Sequence, residues 1–339
     1  MPTIRDVARE AGVSVGTVSK VLNGRRVRPS TREKVEKAIK KLKYRPQMVS
    51  AGLLDQSPTI GLVIPSVSNP FFAALARFVE DEASRHGYMV LLCNTDRDPD
   101  KEKRYLKLLF EKWVAGIIVF APLTTAADVE PIIERGIPIV AIEHRFAGSD
   151  ADLISIDNAK GMKEAVRHLA GLQHRRIALV TGPLSRPCNQ ERLHAFQQEL
   201  RALGIEPNPQ YLRESSFEYE GGYHITWELL HLDPSPTAII LGNDLMAMGA
   251  MNAAHDKGLS VPADVSIIGF DDIPAAAQSR PRLTTVKQSI AEVGAEAVRL
   301  VLRREAERPV QLPTFTTELI VRESTGPCRD VLVDARVGR

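Results

Sequence analysis

Residues 3–24, TIRDVAREAGVSVGTVSKVLNG, carry the punctuation of two short helices joined by a tight turn. Thr3 is placed to cap the first helix with Asp6 as its acidic partner, and Ile4, Val7, Ala8 and Ala11 then share one face. Gly12 stops it, because glycine enters the left-handed region without steric cost. Val13 opens the turn, Ser14 is placed to cap the second helix, and Val15, Val18, Val21 and Leu22 recur at helical spacing up to an Asn23-Gly24 stop. Downstream, STREKVEKAIKKLKYRP at 30–46 predicts a third helix. Ser30 and Glu33 form a capping-box pair, Val35, Ala38, Ile39 and Leu42 line one face, and Arg45-Pro46 closes it. Residues 1–46 therefore read as an all-α, three-helix head of the helix-turn-helix type.

Charge points the same way. Residues 1–50 hold 13 Lys and Arg against 4 Asp and Glu, and the other 289 residues hold 31 against 38, so the formal net charge of +2 conceals a +9 head on a −7 body. Such segregation is the footprint of a polyanion partner. In a helix-turn-helix the second helix enters the DNA major groove by its N-terminal end. Val15, Gly16 and Lys20 are then the base-reading candidates: lysine donates to guanine O6 and N7, and valine touches a thymine methyl. Gly16 admits close backbone approach, at a cost of about 1 kcal/mol in helix stability. Thr3, Ser14, Thr17, Ser19 and Asn23 offer hydroxyl or amide groups to phosphate oxygens, and Arg5, Arg25, Arg26, Arg28 and Arg32 add charge along the DNA backbone.

Past a hinge and linker at 47–58, the pattern changes to alternating strands and helices over 59–327. Ile60 to Ile64, Val90 to Cys93, Gly116 to Phe120 and Ile137 to Ile142 are short apolar runs, with helical stretches such as Phe71 to His86 and Lys101 to Trp113 between them. A second series follows in Ile177 to Thr181, Tyr211 to Ser215, Ala238 to Leu241 and Ser266 to Gly269, separated by Asn189 to Leu203, Glu220 to His231 and Leu245 to Lys257. This predicts an α/β body of two lobes, each built on a parallel sheet. Such sheets bind ligands beyond the carboxyl ends of their strands. The residues there are Asn69, Phe71 and Phe72, then Glu143-His144-Arg145, Arg192, Phe217, Asn243-Asp244 and Asp271-Asp272. Aromatic faces beside amides, carboxylates and a guanidinium suit a polyol, whose ring faces stack while polar pairs fix each hydroxyl.

The two helices at 3–24, with the run at 30–46, resemble the DNA-binding head of the lac repressor and galactose repressor family of bacterial transcription regulators. The body resembles the effector domain of that family and the periplasmic ribose-binding proteins. That likeness runs from IGLVIPSVSNPFF through LLCNTDRDPDKEKRYL, HRRIALVTGP, LGNDLMAMGAM and SIIGFDDIP to LTTVKQ and VRESTGP. The resemblance implies a homodimer on a palindromic operator, controlled by a small effector, a sugar such as a pentose or hexose. It places Asn69, Phe71, Phe72, Glu143 and His144 on one lobe of the effector site, Arg192, Phe217, Asn243 and Asp271 on the other, and Gln288 near the hinge. Leu53 is implied as a wedge that enters the minor groove and bends the duplex. Ala51 and Gly52 depart from the family pattern, as does Glu143-His144, where an aspartate-arginine pair is common. The family also includes regulators controlled by purines and by a phosphoprotein partner. The lac repressor's extra tetramerising helix is not expected, since the tail at 328–339 lacks leucine heptads.

Other classes find little support. Cys93, Cys188 and Cys328 are odd in number and far apart, suiting neither a disulfide framework nor a zinc half-site. No Gly-x-Gly-x-x-Gly after a strand, Walker loop, His-Glu-x-x-His or Gly-x-Ser-x-Gly is present, so no catalytic residues, metal or cofactor are expected. His168 and His174, near a helix end, read as structural caps. No apolar run approaches the roughly 18 residues that span a bilayer, and the charged start MPTIRDVAREAG does not read as a signal peptide. A cytoplasmic protein is therefore expected, and the rival reading, a transport binding protein, is disfavoured.

Overall fold

The computed structural model of the chain describes residues 3–22, 27–42, 57–112, 114–146, 148–149, 151–303 and 314–329. The chain divides into two units, Met1–Asp55 and Gln56–Arg339.

In the first unit, α1 spans Ile4–Ala11, α2 spans Val15–Leu22 and α3 spans Pro29–Leu42. Thr3 and Asp6 close a reciprocal capping box, with Thr3 N donating to Asp6 Oδ2 at 2.8 Å, and Gly12 ends α1 at φ 65°. Ser14 Oγ accepts from Thr17 N at 3.2 Å and so starts α2. The third helix begins at Pro29, and the backbone carbonyl of Arg28 accepts from Thr31 and Arg32. Ser30 is thus inside the first turn and not its cap, because a proline at the first helical position has the right φ and no N–H to satisfy. Val7, Ala8, Ala11, Val18, Val21, Val35 and Ala38 form the buried core.

The second unit contains two six-stranded sheets. The first lobe is built from β1 (Ser57–Ile64), α4 (Pro70–Arg85), β2 (Met89–Asn94), α5 (Pro99–Glu111), β3 (Val114–Phe120), α6 (Ala126–Glu134), β4 (Ile139–Ile142) and β5 (Asp152–Ile156). The chain then crosses to the second lobe. There it forms α7 (Asn158–Gly171), β6 (Ile177–Thr181), α8 (Pro187–Ala202), β7 (Leu212–Glu214), α9 (Tyr219–Leu230), β8 (Ala238–Leu241), α10 (Asp244–Asp256), β9 (Ser266–Asp271), α11 (Pro274–Gln278) and β10 (Thr284–Gln288). It returns to the first lobe as α12 (Ile290–Leu302) and β11 (Thr314–Phe315), and recrosses as β12 (Thr317–Ile320). The sheet orders are β11-β5-β4-β3-β1-β2 and β12-β10-β9-β8-β6-β7. Among the described residues all pairings are parallel except β10 with β12.

The apolar runs become the inner strands. Every residue of β3, β4, β6 and β8 is buried, as strands covered by helices on both faces require. The lobes are therefore not simply the two successive series of the sequence, since α12 packs its buried face into the core of the first lobe. In the second lobe α9 and α10 cross closely at Gly222 and Gly249, where any Cβ would collide with backbone of the facing helix. His168 and His174 are not caps. His168 Nε2 meets Thr325 Oγ1, and buried His174 meets Thr237 Oγ1 and Ser266 Oγ, tying strand starts to the C-terminal segment.

Candidate functional site

The carboxyl ends of the strands converge on one cavity of about 260 Å³ between the lobes. From the first lobe it is lined by Pro65, Asn69, Phe71, Phe72, Arg97, Phe120, Ala121, Leu123 and Glu143. From the second come Pro183, Ser185, Arg186, Cys188, Arg192, Phe217, Gly242, Asn243, Asp271 and Gln288. Nine of the ten residues named from sequence therefore meet at one place. His144 is the exception: its Nε2 pairs with the Pro122 carbonyl at 2.9 Å, and it is not among the lining residues. Glu143 sits at φ 76°, a left-handed turn that sends consecutive side chains different ways. Ala121 and Asp271 also have positive φ, so three of the strand ends that wall the cavity are held in sparsely populated backbone conformations.

Phe71, Phe72 and Phe120 form an edge-to-face trio with centroids 5.2–5.6 Å apart, which makes one wall apolar. The N-caps of α4 and α10 bring in the amides: Asn69 Oδ1 accepts from Phe71 N, and Asn243 Oδ1 accepts from Met246 N. Arg192, on the inner face of α8, is 4% exposed. It donates Nε to Asn158 Oδ1 at 2.8 Å and Nη1 to the Gly242 carbonyl at 2.9 Å, and lies over the Phe270 ring. Its Nη2 stands 3.9 Å from Glu143 Oε1 of the other lobe. Gln288, at the end of β10 where the chain recrosses, donates Nε2 to Asp271 Oδ1 at 2.7 Å, and its buried Oε1 has no partner. Burial, with Asp244 adding repulsion, pushes the Asp271 carboxyl well above the usual range, although Arg192 and the Gln288 bond oppose this. Two further contacts join the lobes: Arg97 Nη1 meets Glu218 Oε1 at 2.6 Å, and Arg186 Nη1 donates to the Ala121 carbonyl at 3.0 Å.

Sequence reasoning missed Arg97, Arg186, Phe120 and Cys188 among the lining residues. All four lie at or after strand ends, so the rule that found the others extends to them. The three cysteines are free and buried, and burial raises the Cys93 thiol to about 11. Among the described residues no cluster of His, Cys, Asp and Glu is fit to hold a metal, and no helix is long and apolar enough to cross a membrane.

On the head, Val15, Gly16 and Lys20 are exposed along one side of α2, with Val15 at 41%. Arg5 and Arg28 are exposed, and Thr17, Ser19 and Arg32 are half-buried. The Thr3 and Ser14 hydroxyls are engaged in capping, Thr3 Oγ1 donating to Asp6 Oδ2 and Ser14 Oγ bonding Thr17 Oγ1 at 2.9 Å. Asn23, Arg25, Arg26, the hinge with Leu53 and the tail beyond Arg329 lie outside the described residues.

A basic helix-turn-helix head and a body whose two lobes enclose a polar and aromatic cavity define a ligand-responsive DNA-binding regulator. Residues 3–47 match the bacterial regulatory proteins of the lacI family, and residues 166–325 match the periplasmic binding protein-like domain. The catabolite control protein A of Priestia megaterium is 38% identical over 304 residues, covering 89% of this chain and 92% of that protein. Among solved structures, the lac repressor dimer bound to operator and the anti-inducer ONPF aligns with a TM-score of 0.73 at 30% identity, covering 96% of this chain and 99% of that one. A LacI family regulator from Enterococcus faecium with bound ribose aligns with a TM-score of 0.72 at 33% identity, covering 79% and 99%. The chain belongs to the lacI family of bacterial regulatory proteins.

Proposed function

We propose that the chain is a cytoplasmic transcription repressor that binds a palindromic operator as a homodimer and is controlled by a monosaccharide in its cleft. The observation that carries this reading is the cavity, where a phenylalanine trio faces Arg192, Asp271, Asn243 and Gln288. With about 260 Å³ of space open to water-sized groups, lined by aromatic faces and paired polar groups, the cavity suits a small polyol. The ribose held by the Enterococcus faecium relative favours the same class. Val15, Gly16 and Lys20 read bases, Thr3, Arg5, Ser14, Thr17, Ser19, Asn23, Arg25, Arg28 and Arg32 touch the DNA backbone, and Leu53 wedges the minor groove.

Dimerisation has a physical motive. Strand β2 is the edge of its sheet, yet Met89, Leu91 and Leu92 are exposed along it, with Phe78 exposed on α4. An apolar edge strand of this kind needs a cover. No cofactor, metal or catalytic step is required.

A thermal-shift screen against pentoses, hexoses, their phosphates and purines tests the effector class. A hundredfold excess over Kd stabilises by about 2.7 kcal/mol, so a monosaccharide should raise the midpoint by several degrees. Stabilisation by purines alone would overturn the sugar assignment.

A further inference from the structure

Three guanidinium groups line the cavity, and two of them face acids. Arg97 meets Glu218 at 2.6 Å, and Arg192 faces Glu143 at 3.9 Å. The third, Arg186, donates to the Ala121 carbonyl, and among the described residues no carboxylate comes within ion-pair distance of it. Glu102 and Glu143 act on it only from further away, and both are engaged elsewhere. Glu102 Oε1 accepts from the Leu123 and Thr124 amides and from Thr124 Oγ1, while Glu143 faces Arg192. Asp271, the other acid on the wall, is bonded to Gln288 Nε2, and burial and Asp244 push its carboxyl well above the usual range. Burial likewise works against the charge on Arg186 and lowers its pKa. A half-buried cation without a counter-ion is unfavourable until an anion reaches it, and a guanidinium fork matches carboxylate and phosphate geometry.

Resting on the sugar reading above, we infer that the effector is an anionic monosaccharide, with its carboxylate or phosphate seated on Arg186 and a hydroxyl donating to the unpartnered Gln288 Oε1. A guanidinium with no ion-paired acid on the cavity wall selects against neutral sugars of the same size, because they leave Arg186 half-buried and unpaired. The aromatic trio and the Asp271–Gln288 pair serve the ring whatever its charge.

The test is isothermal titration of the full chain with D-glucuronate, D-galacturonate and D-glucose 6-phosphate against D-glucose and D-galactose. At least one anionic sugar should bind tenfold or more tightly than its neutral counterpart, and whichever anion wins assigns the group that Arg186 holds. Arg186→Gln should erase that preference. Arg97→Gln, which removes a charge already matched by Glu218, should lower affinity for acid and neutral sugars by similar factors. Melting curves of the unliganded variants establish that both fold. The inference is overturned if neutral sugars bind as tightly as the anionic ones, or if Arg186→Gln weakens both classes equally. In either case a bound sugar leaves the underlying reading standing. If no saccharide of either charge binds, the sugar reading itself fails, and this inference with it.

Discussion

The Arg192 guanidinium has given up water for fixed partners on Asn158 and Gly242, a ring face on Phe270 and a carboxylate across the cleft. Truncating it leaves Glu143 buried without its cation, a change that costs about 3–5 kcal/mol in comparable sites. Arg192→Ala and Asp271→Ala should each abolish the ligand-dependent change in operator affinity while sparing operator binding itself; a gel shift with and without effector reads both, and an unchanged response removes the residue from the site. Asp244 supplies a second residue-level expectation. Burial raises its carboxyl to about 7, against bonds from Thr285 Oγ1 and the Ile273 amide that favour the charged form. A folded-state value above the unfolded one means that stability is full below about pH 4 and is lost as pH rises through about 7. Asp244→Asn should remove this loss and melt at least 2–4 °C above the parent at pH 8, the shift that about 1 kcal/mol produces in a domain of this size. A parallel pH dependence in parent and variant would exclude Asp244 as its source. Eight cavity residues were legible in sequence because one rule, the carboxyl ends of parallel strands, names positions rather than chemistries; the ninth, Gln288, came from the family resemblance alone. Arg97 falls under the same rule but was not singled out, because TDRDPDKEKR places several charges after β2 and nothing local marks which one turns inward. His144 was misplaced because the left-handed turn at Glu143 is a tertiary outcome.

Among the elements, α2 carries the DNA-reading claim. Its exposed side presents Val15, Gly16 and Lys20, while Val18 and Val21 pin the opposite side to the core of the head. Lys20→Ala should relax preference at one base position per half-site, costing about 1–3 kcal/mol on the best sequence, whereas Arg5→Ala should weaken all sequences alike and reduce the salt slope by roughly one unit. Binding titrations over a set of single-base operator variants at several salt concentrations separate the two, and the reverse pattern would mean that the wrong face has been assigned to the groove. Elements with strong local signals were legible: capped α1, the glycine stop, and the continuous apolar runs of β3, β6 and β8. The return of the chain was not. Strand β11 is two residues long and finds its partner in Ser155 and Ile156, a pairing that no local pattern encodes. The same holds for β12, whose register against β10 is set by the sheet already in place.

At the scale of the molecule, the described residues pass between the lobes after β5, after β10 and after β11, and these crossings are where the lobes are covalently joined. Gln288 stands at the second crossing with one end on Asp271, and Arg97–Glu218 and Arg186–Ala121 span the cleft, so an occupant of the cavity touches both lobes and the strand that joins them. A ligand of this kind shifts function only as far as it prefers one lobe arrangement over the other. A tenfold change in operator affinity requires about 1.4 kcal/mol of such preference, within the ordinary range of allosteric coupling. The most direct measurement is a fluorescence anisotropy titration of the full chain, at physiological salt, on a two-fold symmetric duplex selected from random sequence and on a scrambled duplex, with and without the sugar that stabilises the protein. The account predicts at least a hundredfold preference for the selected duplex and at least a tenfold change in that affinity when the sugar is present. Equal affinity for both duplexes, unmoved by any bound sugar, would contradict it.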